Sequence, residues 1–114
     1  MANAFLSETQ TGVGTSPVTI LTCGASTETT IIGLSVANIV TSQITVDVIL
    51  DASGRTSGAE DAVYLVKAAP VPVGGTLVVV GGDQKVVMEA GDIITVTSDT
   101  ASSADVVLSH LDIT

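Results

Sequence analysis

Apolar side chains recur along this chain in short alternating runs rather than in helical stripes. In QITVDVILD, residues 43–51, Ile44, Val46, Val48 and Leu50 occupy every second position, and Thr45 and Asp47 fill the opposite phase. A two-residue period marks a strand with one face on a core and the other toward solvent. TTIIGLSVANI, residues 29–39, repeats the pattern with Ile32, Leu34 and Val36 on one side. The brief connection VTSQ predicts that these two strands pair as a hairpin. Further runs follow the same logic: VTILTC (18–23), VYLVKAAPVPV (63–73), TLVVVG (76–81), QKVVMEA (84–90), DIITVTSD (92–99) and ADVVLSHLDIT (104–114). Pro70 and Pro72 remove ladder donors from the fourth of the eight runs, so its second half belongs at a sheet edge or in a crossover.

Between the runs lie turn residues. The stretch VVVGGDQKVVMEAGDIITV, residues 78–96, holds two Gly-Asp turns that read as hairpin corners. Residues 52–62, with two glycines, two serines and mixed charge, read as a flexible exposed loop. Ahead of the first run, residues 1–15 are small and polar apart from the pair Phe5 and Leu6, which predicts a flexible N-terminal arm before a domain spanning 16–114. The expected fold is all-β: an antiparallel β-sandwich, jelly-roll-like, of about eight strands.

Composition narrows the function more by exclusion than by indication. Twelve acids against three bases, Arg55, Lys67 and Lys85, give a formal charge of −9 over 114 residues. Nucleic-acid binding needs phosphates neutralised by Lys and Arg, so no nucleic-acid partner is expected. No apolar run reaches the roughly 18 residues of a spanning helix, and the first residues show neither a basic region nor an apolar core, so no membrane association and no secretory signal are expected. The chain is expected to be made and assembled in a cytoplasm.

Candidate chemistry is sparse. GGDQKVV leads into another strand, so no helix N-terminus follows to hold a phosphate. The acids nowhere reach the density of a calcium loop, which leaves open only a calcium site shared between loops or subunits. A single imidazole, His110, and a single thiol, Cys23, fall short of a transition-metal set, and no cofactor is expected. His110 reads as a surface or subunit-contact residue, and Cys23 as a half-buried, unreactive thiol. Tyr64 reads as a core-rim residue with a bonded hydroxyl. Nucleophilic hydrolysis would have His110 as its sole candidate base, and one histidine argues against a cupin-like enzyme. Paired carboxylates for glycoside hydrolysis stay open in the sequence, but sugar sites generally use aromatic platforms and this chain has only Phe5 and Tyr64.

What remains is shape: aliphatic strand faces, small polar loops and an arm with two apolar anchors. Phe5, Leu6, Lys67, Pro70 and Pro72 are the candidate assembly contacts, the last three forming a semi-rigid edge. TTIIGLSVANIVTSQITVDVIL and the ordered combination LVKxAPVPxGxxLVVxGGDQKVVxExGD resemble small virion structural proteins of tailed bacteriophages, a group common in phages of cyanobacteria and other aquatic bacteria. The resemblance covers residues 18–114 and leaves out 1–17. It implies a non-enzymatic β-sandwich protein of the virion, favouring a capsid decoration (cement) protein on the outside of the head. Its implied partners are copies of itself, with a trimer favoured, and the major capsid protein or another virion protein. The alternative it implies is a tail, neck or fibre-associated structural or receptor/glycan-binding module. No catalytic residue is carried over, because the motif describes strands and turns.

Overall fold

The structure is a computed structural model in which residues 3–55 and 61–114 are described. Two antiparallel sheets pack face to face, and no helix is present among the described residues. Nine strands follow in chain order: β1 Asn3–Val13, β2 Val18–Thr22, β3 Glu28–Asn38, β4 Ile44–Asp51, β5 Ala62–Val71, β6 Thr76–Val80, β7 Val86–Met88, β8 Ile93–Ser98 and β9 Ala104–Ile113. One sheet runs β1-β9-β3-β6, with β7 also on β3, and the other runs β2-β8-β4-β5. This strand order is that of a double Greek-key jelly roll.

Eight of the strands coincide with the alternating runs. The additional one is β1. Residues 3–13, expected as part of an arm, pair antiparallel with β9 from Asn3↔Ile113 to Val13↔Ala104. The alternation that would have marked β1 is weak because most of its side chains are exposed on both faces, and only Val13 at its end is buried. Part of the loop expected over 52–62 lies outside the described residues.

The core is aliphatic. Ile31, Leu34, Val36, Ile44, Val46, Val48, Met88, Ile94, Val96 and Leu108 lie between the sheets and exclude water. In β4 the alternation holds as expected, with Ile44, Val46 and Val48 buried and Leu50 partly so. In β3 it does not. A register shift between Ile31 and Gly33 puts an extra residue in the strand, so Ile31 takes the core position and Ile32 is displaced from the phase of Leu34 and Val36.

The connections also differ from the hairpins expected. β3 and β4 do not pair; they face each other across the core from different sheets. The Asn38 side chain fixes this crossing. Its Nδ2 donates to the carbonyls of Ser42 at 2.8 Å and Val71 at 2.9 Å, and its Oδ1 accepts the Val40 N–H at 2.9 Å. Those bonds hold the chain in an arch where a tight hairpin would have closed a ladder. Replacing Asn38 by alanine strands the buried Val71 carbonyl and removes the arch, and should cost about 2 kcal/mol. A thermal melt followed by circular dichroism should then show a midpoint roughly 8 °C lower, and Asn38→Asp should not rescue it, because a carboxylate cannot donate to two carbonyls.

Neither Gly-Asp turn of residues 78–96 makes a hairpin. β6 and β7 both lie along β3, so the Gly81–Lys85 turn interrupts a single edge instead of reversing the sheet. Gly82 takes φ +62° there, and the Gln84 N–H donates to the Gly81 carbonyl at 3.2 Å. The second turn carries the chain from β7 across to β8 in the other sheet. Pro70 sits on β5, at a sheet edge as its missing donor requires, and Pro72 lies beyond it in the turn that crosses to β6.

Candidate assembly surface

The outward face of the five-stranded sheet is built from alternate residues of β1, β9, β3, β6 and β7. Register places Phe5, Leu111, Thr30 and Val87 in one row across it. A second row holds Thr9, Val107, Ser35 and Val78. Ser7 and Ser109, opposite Gly33, lie between them. These rows carry no charged side chain, although the chain has a net charge of −9. Val78, Val87 and Val107 are among the exposed large apolar residues, and Phe5 is the most exposed of them at 76%. Scattered exposed aliphatics are ordinary on a monomer, whereas exposed apolar side chains gathered on one face mark a candidate contact surface.

Two acids stand at opposite ends of this face: Glu28, opposite Ile113, lies beyond the Phe5 row, and Asp105, at the other end, is occupied with the backbone. Its Oδ1 accepts from Thr11 Oγ1 at 2.7 Å and from the Gly12 N–H at 3.1 Å. Gly12 has φ +65° and sits in the register shift between Gln10 and Val13, so Asp105 secures a bulge that turns β1 toward the core.

The five candidate contacts fall into two separate places. Phe5 and Leu6 lie on β1, at one edge of the five-stranded sheet, pointing to opposite faces. Lys67 and Pro70 lie on β5, the edge of the other sheet, with Pro72 just past its end. β1 packs beside β2 and β5 beside β6, so the two groups stand on opposite flanks of the sandwich and do not form one site. On the β5 flank the Lys67 ammonium stands 4.6 Å over the Tyr64 ring. That ring is half exposed on an edge strand and not at the core rim as expected.

His110 too differs from its expected place at the surface. It is buried, at 1% exposure. Its Nε2 lies 2.9 Å from Glu8 Oε2 on β1, and its Nδ1 lies 2.8 Å from Asp112 Oδ1. Asp112 Oδ1 also accepts from Thr29 Oγ1 at 2.8 Å, and Thr29 Oγ1 is 3.4 Å from Cys23 Sγ. The signal was present in the sequence: Val106 and Leu108 fix the inward phase of β9, and His110 follows in it. The carboxylates were not foreseeable, because Glu8 belongs to a segment without a strand's alternation. This polar chain ties β1 to β9 from inside the sandwich and satisfies every member; no buried side-chain polar atom lacks a partner among the described residues.

The Cys23 thiol contacts Thr29 and the backbone carbonyls of Thr27 and Met88 rather than the imidazole. Burial pushes the Cys23 thiol above its ordinary value, with the carboxylates of Asp112 and Asp92 adding to the effect. A thiol reagent at pH 8 should therefore leave native Cys23 unmodified, and labelling should proceed only at the rate of unfolding; rapid labelling of the folded protein would contradict its burial. No group of three or more metal-ligating side chains is gathered among the described residues.

No family model matches this chain, and no curated protein matches it. Among solved structures, it is similar to a chain described by the statement "Bacillus endospore appendages form a novel family of disulfide-linked pili". The TM-score is 0.57 at 12% identity, over 99% of this chain and 87% of the other. At that identity the likeness concerns the fold.

Proposed function

We propose that this chain is a non-enzymatic virion protein of a tailed bacteriophage, and in the first place a capsid decoration protein that binds across junctions between coat subunits. The observation that carries the reading is the uncharged centre of the outer face of the five-stranded sheet on a strongly acidic chain, with Glu28 and Asp105 only at its two ends. Such a face loses little on desolvation, while the acids elsewhere keep the protein soluble and away from packaged DNA. The sequence resemblance over residues 18–114 supplies the particle. Binding that favours the assembled shell stabilises it by mass action, with no chemistry required.

The likeness to a pilus protein supports a building-block role and favours, as a second reading, a tail or fibre component. Those pili are disulfide-linked, whereas the lone Cys23 here is buried, so contacts made by this chain are non-covalent. Heating particles with and without the protein tests the first reading. Heads lacking it should release DNA at a lower temperature, and adding the purified protein back should restore resistance. Unchanged heat resistance would remove the cement role, and an image reconstruction placing the chain on the tail would select the second reading.

A further inference from the structure

Each sheet edge presents a row of backbone N–H and C=O groups that can template another strand, and folded proteins guard such edges. Three of the four edges here are guarded. β5 carries Lys67, Pro70 and a bulge at Ala68, whose φ of 50° is held by its N–H donating to Asp47 Oδ1 at 2.7 Å. β2 has five residues and a register shift between Thr19 and Leu21. β6 and β7 are short and are separated by the Gly81–Lys85 turn. The fourth edge, β1, is eleven residues long. It runs in unbroken register with β9 from Asn3 to Gln10, and no partner lies on its other side among the described residues.

We propose that β1 pairs edge to edge with β1 of a second copy, fusing the two five-stranded sheets across a two-fold axis. The occupant must be an extended strand, because only a strand matches the spacing of the open backbone groups. Another copy offers one unguarded edge, its own β1, and a contact of one edge with itself is antiparallel and isologous. Opposed residues must share a face, which restricts the axis to a residue position and forbids a point between two residues. Centred on Ser7, the pairing uses all of residues 3–11 before the Gly12 bulge. Phe5 then meets Thr9 on the outer face, and Leu6 meets Glu8 on the inner one. Glu8 does not oppose its own copy, and its carboxylate stays with His110. Centring on Glu8 would set two like charges opposite each other and is disfavoured. This contact belongs to the chain itself, wherever on a particle it serves, and it explains why Phe5 is left exposed.

Light scattering on the full chain at about 100 μM, a concentration chosen to favour weak strand pairing, should give twice the 11.3 kDa chain mass. Ser7→Lys sets two ammonium groups face to face on the axis while lowering the net negative charge, so a dimer made away from β1 and the outer face would be unharmed or strengthened. A dimer through that face is told apart by the amide exchange pattern, since it leaves the β1 edge amides unprotected. The variant should keep the wild-type circular dichroism spectrum and dimerise at least tenfold more weakly. Amide hydrogen exchange on the wild type gives a second measurement that needs no variant: alternate amides of residues 3–11 should be protected, and dilution should expose them while β9 stays protected. A wild-type monomer, a mass of three chains, a dimer surviving Ser7→Lys, or β1 protection independent of concentration would each overturn the proposal.

Discussion

Replacing Arg55 by alanine should destabilise the fold by about 3 kcal/mol, a drop of roughly 12 °C in the melting midpoint. Asp92 is completely buried at the crossing from β7 to β8. Arg55 grips it with two bonds, Nε to Oδ1 at 2.9 Å and Nη2 to Oδ2 at 2.8 Å. The Glu89 N–H donates to Oδ2 at 3.0 Å, and the same turn is tied to β2 by Cys23 N–H to the Asp92 carbonyl at 2.8 Å. Removing the guanidinium leaves a buried carboxylate with one backbone donor, and an unpaired buried charge is far costlier than a lost surface pair. The neighbouring Arg55–Glu89 contact at 3.0 Å adds little, because the Glu89 side chain is half exposed.

The effect should depend on pH in a definite direction. The bidentate bond from Arg55 holds the Asp92 carboxyl below its ordinary value, against the opposing pull of burial, and the Glu89 N–H assists. A carboxyl depressed in the folded state contributes stability above its unfolded value, near about 3.9, and that contribution fades as the pH falls through the folded value. Wild-type protein should therefore lose stability in acid below about pH 4 more steeply than Arg55→Ala, and the gap between their midpoints should narrow there. A gap that stays constant from pH 7 to pH 3 would show that Asp92 is not the group being held.

Gly91→Ala should be comparably damaging, at roughly 3 kcal/mol. Gly91 has φ +93°, a region that a Cβ disfavours, and an added Cβ would stand 2.8 Å from the Gly54 carbonyl oxygen. Backbone lies on the other side of that contact, so a rotamer change cannot relieve it. Gly82 provides the internal comparison. It too has positive φ, at +62°, but nothing lies within 4 Å of its missing Cβ. Gly82→Ala should cost only the conformational term, about 1 kcal/mol. Urea unfolding of the two variants separates steric overlap from backbone strain, and equal costs would refute the close approach of the two loops.

The contrast between those glycines shows where sequence reading stops. Both stand in Gly-Asp turns between apolar runs, and their local signals are the same. One interrupts an edge along β3, and the other crosses between sheets against a loop that is distant in the chain. No local pattern distinguishes them, because the difference is a contact with Gly54.

Local alternation was enough to establish an all-β chain, eight of the nine strands and the inward phase of β4, since burial of one strand face imposes a period of two wherever the chain runs. The −9 charge and single imidazole argued against nucleic-acid binding and transition-metal chemistry on the same elementary grounds. Pairing partners lay beyond that information. Which strand lies beside which depends on long-range closure, so the arch held by Asn38 looked like a hairpin and the exposed β1 looked like an arm. His110 between Glu8 and Asp112, Arg55 on Asp92, and the one unguarded edge arise only when segments far apart in sequence are brought together. The contacts are specified by chemistry already present in the residues, but folding selects which of them meet.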